Sequence, residues 1–288
     1  MSNKTEVLPV PEIVLIRPSR GWRALNLVEI WRFRELLFFL TLRDIKLRYK
    51  QTVMGVAWAV IQPLFTMAVF ALFFGKLAKM PSDGKPYSLF VLAALLPWQL
   101  FSYALTQSSG SLVSEQRLIT KVYFPRLIIP LSSVLSGLLD FLVAFALFFC
   151  VLGAETAAGS LAVPLSWRIA TLPIFIGFTL VTALSVGLWL GALNVQYRDV
   201  RYTIPFLNQL WMFLTPIAYP SSIVPRQYLW IYGLNPLTSI VEGFRWALLG
   251  TDSPDWAMMA VSGCTVVALG ITALYYFRRL EGTFADVV

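Results

Sequence analysis

Three basic residues, Arg43, Lys46 and Lys50, are spaced so that one helix would carry them on a single face. At 100° per residue, their side chains fall within about 60° of one another. Guanidinium and ammonium groups hold phosphate oxygens through charge-assisted hydrogen bonds. The spacing therefore predicts a site for a phosphate-bearing substrate, the alternative being an ordinary basic flank anchored by lipid headgroups.

A second basic pair, Arg117 and Lys121, lies four residues apart in a short charged stretch, residues 112–124, between two long apolar segments. We expect a helix there that begins at a serine cap and ends before a proline. The expected caps are Ser111 or Ser114, and the expected apolar face consists of Leu118, Ile119 and Val122. Such a helix either rests on lipid headgroups or serves as a handle for a soluble partner, with Glu115 and Arg198 as further contacts.

A lone carboxylate, Asp140, interrupts the apolar stretch 127–154. It lies about 13 residues into that stretch, roughly 20 Å along a helix. A carboxylate near the centre of a bilayer is costly, so it has to face protein or water. We expect a structural hydrogen bond to a neighbouring helix, with substrate contact as the alternative.

The elements that position these residues are membrane helices. The chain is 58% hydrophobic and 13% charged, with a mean hydropathy of +0.71, whereas soluble domains are about 25% charged. Stretches of roughly 20 apolar residues cross a bilayer as helices. The apolar pattern predicts six such spans, at about 53–75, 87–110, 127–152, 169–195, 203–220 and 256–277.

The rest of the chain is organised around these spans as one all-α membrane domain, residues 23–278. Residues 1–22 are expected to form a cytoplasmic tail without a cleavable signal peptide, and residues 279–288 a cytoplasmic C-terminus. The mixed apolar and charged pattern of about 25–50 predicts an amphipathic helix at the membrane interface. Asn235-Pro236 breaks the apolar stretch before the last span, which predicts two short helices rather than a seventh crossing.

The distribution of basic residues favours both termini in the cytoplasm. In that orientation, 17 basic residues lie inside and 6 lie outside, and Arg245 is among the outer ones. The N-terminal segment supplies most of this difference, since without it the numbers are 7 and 6.

Several catalytic chemistries are excluded by what the sequence lacks. It contains no histidine, and its two cysteines lie inside predicted spans. No G-x-x-x-x-G-K-[ST] motif is present, so ATP cannot bind in the P-loop manner. We therefore expect no catalytic residue, metal site or cofactor in this chain, and no nucleic-acid partner.

Five blocks of sequence resemble the membrane subunits of ABC exporters for cell-surface polysaccharides, which include the permeases for O-antigen, capsule and teichoic acid. Three of the blocks are "LTLRDIKLRYKQTVMGVAWAVIQPL", "KVYFPRLIIPLSSVLSGLLDFLVA" and "NVQYRDVRYTIPFLNQLWMFLTPIAYP". The other two are "ALLPWQLFSYAL" and "LNPLTSIVEGFRWALLG". The blocks follow the order of that family and extend from about Arg23 to Phe277.

The resemblance implies two copies of a six-span subunit around a channel in the bacterial inner membrane. Two ATPase subunits that bind ATP and Mg would dock through a coupling helix at 112–124. Paired short helices, at 222–234 and 236–249, would re-enter the membrane at the outer gate. The implied substrate is a polyprenyl-pyrophosphate-linked glycan, whose sugars would stack on aromatic rings in the channel. The candidates for that lining are Trp58, Phe65, Trp98, Phe101 and Trp211.

The sequence therefore predicts an ATP-driven permease that exports a lipid-linked polysaccharide, with O-antigen as the first candidate. One alternative is a related permease for capsule, teichoic acid, a lipid or a drug. A multi-span glycosyltransferase is a second, but the D-x-D pair that such an enzyme needs is absent from the sequence.

Overall fold

A computed structural model of the protein describes residues 27–50, 55–159, 166–197, 199–282 and 284. The predicted tail, residues 1–22, lies outside these ranges. All regular secondary structure within them is helical. The helices are α1 (Leu27–Arg32), α2 (Arg34–Lys50), α3 (Gly55–Phe70), α4 (Tyr87–Ser114), α5 (Gln116–Lys121), α6 (Ile128–Ala157), α7 (Leu172–Gln196), α8 (Val200–Leu214), α9 (Leu229–Tyr232), α10 (Pro236–Leu249) and α11 (Trp256–Glu281).

Five helical segments of the described chain are long and apolar enough to cross a membrane. They are Ala57–Leu77, Tyr87–Ser114, Ile128–Ala157, Trp167–Gln196 and Trp256–Glu281. The first continues α3 through a π-helical turn, Ala71–Leu77, and the fourth joins a 3-10 turn to α7. These five segments correspond to five of the six predicted spans and confirm an all-helical membrane architecture.

The remaining predicted span, 203–220, which is the fifth along the chain, is represented by a shorter helix. Its helix, α8, has 15 residues and ends at Leu214, so it reaches only about 22 Å. The next residue, Thr215, is extended, with φ −99° and ψ 136°. Pro216 explains this end, because a proline pushes the residue before it out of the helical region. The count of six crossing helices is therefore not confirmed.

Helix α4 forms the centre of the bundle. Its side chains from Leu89 to Leu96 are almost completely buried, and it packs against α6, α7 and α10. Small residues bring α7 close to it, since a Cβ atom at Gly187 would overlap the Ser108 hydroxyl. Asn194, two turns further along α7, donates to the Ser109 carbonyl at 3.1 Å. Close backbone approach at small residues is the usual way in which membrane helices associate.

The bundle has two ends, named here after one residue at each. The Glu115 end contains α5, the start of α6 and the end of α11, where the Arg126 backbone N–H donates to Glu281 at 3.3 Å. The Asp83 end contains the α3–α4 connection, where Asp83 accepts a hydrogen bond from Ser222 at 3.0 Å. These two ends lie at opposite ends of α4.

Two predicted peripheral features also have a helical counterpart. The predicted interface helix, 25–50, is observed as α1 and α2, which are separated only at Phe33. The predicted short helices on either side of Asn235-Pro236 are present, but the first is reduced to 3-10 turns and the four-residue α9. Helix α10 is buried along its whole length. The depth of these helices in a membrane stays a prediction.

Candidate functional site

A polar cavity of about 550 Å³ lies between α2, α4 and α6 near the Glu115 end. Two arginines and two carboxylates line it, together with hydroxyl and amide side chains from α4 and α6. The polar residues of the lining are Arg43, Asp44, Arg48, Tyr103, Thr106, Gln107, Ser111, Ser114, Glu115, Ser132, Ser133 and Ser136. This concentration of polar groups inside an apolar bundle marks the cavity as the candidate site.

Arg43 and Glu115, for which the sequence predicted different roles, contact each other directly. Its two terminal nitrogens donate to both carboxylate oxygens of Glu115, at 3.1 and 2.7 Å. Its Nε and one terminal nitrogen also donate to Asp44, at 3.1 and 2.9 Å. Burial raises the pKa of the Asp44 carboxyl, and the hydrogen bond from Arg43 opposes that rise. The expected headgroup residue Arg43 is thus bonded to the expected coupling residue Glu115.

The two lysines of the predicted basic stripe lie elsewhere on α2. Lys46 and Lys50 are exposed, and neither belongs to the lining of the cavity. The structure therefore brings Arg43 together with Arg48 rather than with the two lysines. A headgroup role for the complete stripe stays a prediction.

Arg48 and Tyr49 explain how Asp140 is accommodated. Tyr49 donates its hydroxyl to Asp140, and the Arg48 guanidinium forms an ion pair with the same carboxylate. Arg48 also lies over the Tyr103 ring, 4.3 Å from its centroid. The expected hydrogen bond from Asp140 to a neighbouring helix is therefore present. Arg48 was not predicted as the partner, although a carboxylate inside a membrane requires a nearby cation or hydrogen-bond donor.

Helix α5 forms the core of the predicted coupling stretch but is shorter, with six residues. Arg117 and Lys121 are exposed, while Ile119 packs into a cluster with Phe124. The expected position of Val122 on the apolar face of this helix is wrong, since its backbone is extended beyond the end of α5 and its side chain is 52% exposed.

The predicted serine caps of α5 are also wrong. Ser111 and Ser114 donate to carbonyls of their own helix, at 2.7 and 2.9 Å. The residue at the cap position is Glu115, whose side chain makes no capping bond. The remaining predicted coupling residue, Arg198, lies outside the described residues.

The five aromatic candidates fall into two groups. Trp98, Phe101 and Trp211 pack together, with ring centroids 5.8 Å apart for the first two and 5.0 Å apart for the last two. Phe101 is fully buried in the bundle. Trp58 and Phe65 are instead exposed on α3, at 57% and 71%. Channel lining stays a prediction for all five, and the two on α3 are the accessible ones in the single chain.

Comparison with known proteins identifies the kind of chain that carries this site. The family model described as "ABC-2 type transporter" matches residues 35–249. The chain belongs to the ABC-2 type transporter membrane family. The match runs from the start of α2 to the end of α10, and thus includes the cavity, α5 and the buried helix α10.

Curated relatives of this ABC-2 chain are named as transport proteins. It is 29% identical to the O-antigen export system permease protein RfbA of Klebsiella pneumoniae over 254 residues, which is 88% of this chain and 95% of the relative. RfbA of Myxococcus xanthus is also 29% identical, over 90% of this chain and 98% of the relative. The polysialic acid transport protein KpsM of Escherichia coli is 25% identical, over 84% and 92%.

At the Asp83 end of the ABC-2 chain, a buried polar cluster holds the broken end of α8. Arg245 is completely buried and donates to the carbonyls of Ile217 at 2.9 Å and Tyr219 at 3.3 Å. Tyr87 donates to the carbonyl of Ala218, between them, at 2.6 Å. Asn235 caps α10 by accepting from the Leu237 N–H at 3.1 Å.

Arg245 was missed by the sequence analysis, which placed it among the outer basic residues. It is not a loop charge, because it lies inside α10 and is bonded on every side. It must therefore be left out of the charge comparison that orients the chain. The signal available in the sequence was the spacing of Glu242 and Arg245, one helical turn apart, and the two form an ion pair at 3.2 Å.

Proposed function

We propose that this chain is the permease subunit of an ATP-driven ABC transporter that exports a lipid-linked cell-surface polysaccharide, with O-antigen as the first candidate. The observation that carries the proposal is the similarity to two O-antigen export permeases over 95% and 98% of their lengths. Because the similarity covers nearly the whole of each relative, it includes the helices that would build a passage and is not limited to a single segment.

The energy source in this proposal is a separate ATPase subunit that binds ATP and Mg. The sequence has no P-loop of its own. Helix α5 supplies a fitting contact, because it presents Arg117 and Lys121 to solvent while Ile119 anchors it to the bundle. Two ATPase copies would serve two permease copies.

The proposed permease works as a homodimer, with the passage on the twofold axis. Within the residues that the structure describes, one chain has five helices of crossing length, and the buried residues of α4, α6 and α7 pack against one another. A passage wide enough for a polysaccharide therefore needs a second copy, and a closed pair with twofold symmetry is the commonest arrangement. The exposed aromatic rings of α3 are candidates to face that passage.

The proposed location is the bacterial inner membrane, with both termini cytoplasmic and the Glu115 end on the cytoplasmic side. The distribution of basic residues supports this orientation. The exclusion of buried Arg245 from the outer set strengthens it, because six outer basic residues become five.

The polyprenyl-pyrophosphate carrier would be recognised at that cytoplasmic side, where Arg43, Lys46 and Lys50 lie on α2. Neutralising these three residues is expected to reduce substrate-stimulated ATP hydrolysis and export more than basal hydrolysis. The matched control neutralises Lys76, Lys79 and Lys85, near the Asp83 end. Equal losses from both sets would show that only overall charge matters.

An export assay tests the proposed function. The chain and an ATPase subunit encoded beside it are expressed in a strain that makes lipid-linked O-antigen but lacks its own export permease. We expect polymer at the cell surface, and none when the chain is expressed with an ATPase subunit that cannot hydrolyse ATP. Polymer retained in the cytoplasm despite a correctly inserted complex would contradict the proposal.

A capsular polysaccharide is the second candidate cargo, because a polysialic acid transport protein is 25% identical over 92% of its length. The same assay in a strain that synthesises capsule but lacks its permease separates the two. Rescue of O-antigen export without rescue of capsule export favours the first candidate.

A further inference from the structure

Glu115 occupies the junction between α4 and α5. Its backbone N–H donates to the Ser111 carbonyl of α4 at 3.0 Å. Its own carbonyl accepts from Leu118 and Ile119 of α5, at 2.9 and 3.1 Å. The backbone of one residue is thus shared by the last turn of α4 and the first turn of α5. A contact that holds the Glu115 side chain therefore also restrains the position of α5.

Arg43 of α2 holds that side chain through a two-pronged contact, at 3.1 and 2.7 Å. The planar fork of a guanidinium fits the two oxygens of a carboxylate, and it fits two oxygens of a phosphate in the same way. The Arg43 side chain is 37% exposed, and it lines a cavity of about 550 Å³. A phosphate group can therefore reach the same nitrogens that Glu115 occupies.

The charges that line the cavity argue against simple addition of an anion. In the lining, Arg43 and Arg48 face Asp44 and Glu115, and Arg48 also pairs with Asp140. An entering phosphate meets no net attraction while Glu115 remains in place. Once Glu115 leaves, the guanidinium nitrogens of Arg43 that it occupied are free, and the carboxylates no longer outnumber the two arginines, because only Asp44 and Asp140 remain. Binding of a phosphate and the Arg43–Glu115 contact are therefore mutually exclusive.

We propose that a lipid-borne phosphate or diphosphate group binds in this cavity by replacing Glu115 on Arg43, and that this exchange releases the α4–α5 junction. Phosphate binding in the cavity would thereby change the position of α5, on which the exposed Arg117 and Lys121 lie. This inference rests on the proposed function, because it takes α5 as the contact for the ATPase. The phosphate could belong to the lipid carrier of the substrate or to a phospholipid of the surrounding membrane.

The exchange is tested by ATP hydrolysis of the complete complex in phosphatidylcholine nanodiscs, titrated with a long-chain polyprenyl diphosphate. We expect the diphosphate to stimulate the native complex. Glu115→Gln weakens the competing contact with Arg43, so basal hydrolysis should rise and half-maximal stimulation should need about tenfold less ligand. Arg43→Gln should raise basal hydrolysis and abolish the response. Glu35→Gln, an exposed carboxylate on the same helix, is the matched control and should behave like the native chain.

A parallel titration with phosphatidylglycerol identifies the source of the phosphate. If phosphatidylglycerol also stimulates hydrolysis, and Glu115→Gln lowers its half-maximal concentration to the same extent, the exchange is supported and the ligand is a membrane phospholipid. Stimulation by the polyprenyl diphosphate alone supports the exchange with the substrate carrier. An unchanged half-maximal concentration in Glu115→Gln overturns the exchange, whichever lipid stimulates.

A distance measurement keeps the test independent of transport. Spin labels are placed at Phe39 of α2 and Thr120 of α5, both exposed, in a chain whose cysteines are replaced by serine. We expect the distribution of distances between the two labels to broaden when the diphosphate is added. In Glu115→Gln we expect the same broadening without ligand. Arg43→Glu combined with Glu115→Arg should restore the narrow distribution. A distribution that does not change in Glu115→Gln overturns the exchange.

The two proposals fail in different ways. If lipid-linked glycan is exported but Glu115→Gln leaves both readouts unchanged, the exchange is wrong and the proposed function stands. If neither glycan nor diphosphate stimulates the native complex, the proposed function fails, and the label distances with phosphatidylglycerol still decide the exchange.

Discussion

The guanidinium carbon of Arg245 lies 3.5 Å from the centroid of the Phe90 ring. This stacking fixes the orientation of a completely buried cation, so that its nitrogens face the carbonyls of the non-helical segment after α8. Backbone that leaves a helix inside an apolar environment needs other hydrogen-bond donors. Arg245 supplies two of them, which lets α8 end at Leu214 without leaving the Ile217 and Tyr219 carbonyls unpaired.

Arg245→Met is therefore expected to destabilise the protein strongly. It leaves the Ile217 and Tyr219 carbonyls without these donors and Glu242 without its ion-pair partner, and loss of one partner of a buried pair costs about 3–5 kcal/mol. Thermal unfolding in detergent measures the loss. Arg226→Met, which changes an exposed arginine, should have little effect. Adding Glu242→Gln to Arg245→Met should recover part of the stability; no recovery would show that the ion pair is unimportant.

Gly243→Ala is expected to loosen the contact of α10 with α7. A Cβ atom at Gly243 would overlap the Phe175 ring, and overpacking in a core costs typically about 1–3 kcal/mol. Gly177→Ala is the matched control, since a Cβ atom there meets nothing within 4 Å. Phe175→Leu should partly rescue Gly243→Ala by making room. Thermal unfolding of these variants tests the contact, and equal stability of the two alanine variants would contradict it.

Asp140→Leu is expected to be more destabilising than Asp140→Asn. The leucine removes the acceptor of the Tyr49 hydroxyl and the carboxylate that pairs with Arg48. The asparagine keeps an acceptor for Tyr49 and loses only the charge. Leaving a partly buried polar group without its partner costs about 1–3 kcal/mol. Thermal unfolding should therefore rank native above Asn above Leu, with Asp252→Leu as an exposed control; the reverse order would refute the bonding role.

Reversal of both charges on α5, Arg117→Glu with Lys121→Glu, is expected to weaken binding of the ATPase subunit. Both side chains are exposed, so the variant should insert and fold normally. Co-purification from membranes measures the association, and export measures the coupling. The control is Lys76→Glu with Lys79→Glu, two exposed lysines near the opposite end. Unchanged association and export would show that α5 only rests on the membrane surface.

The dimer is tested by mass measurement of the purified complex in detergent. We expect two permease copies, because the proposed passage lies on the twofold axis between them. An active complex that contains a single copy of this chain would refute the dimer.

The sequence by itself determined the class of the protein and most of its helices. Long apolar stretches can satisfy their backbone groups inside a bilayer only as helices, which is why five predicted spans match helices of the structure. Local chemistry was equally informative at Asn235-Pro236, where a capping side chain followed by proline starts α10. The blocks that resemble polysaccharide exporters were sufficient to indicate the family.

Only the tertiary structure decided which charged groups meet. Arg43 and Glu115 are 72 residues apart and Tyr49 and Asp140 are 91 apart, so neither periodicity nor spacing along the chain relates them. The spacing of Arg43, Lys46 and Lys50 places them on one face of a helix, but spacing within one helix carries no information about contacts with other helices. The partner of a charge in an apolar bundle is chosen by the packing of α2 against α4 and α6, since an unpaired charge there is too costly to leave.

The same reason explains why α8 and Arg245 differ from what the sequence pattern predicts. Hydropathy predicted an unbroken span through Thr215. The hydropathy of a segment does not show whether another helix can donate hydrogen bonds to carbonyls that a break in the helix leaves unpaired. The bundle supplies that element in α10, whose arginine reaches the freed carbonyls across the interface. A buried arginine and a loop arginine are identical in sequence, and only the neighbours that surround the side chain distinguish them.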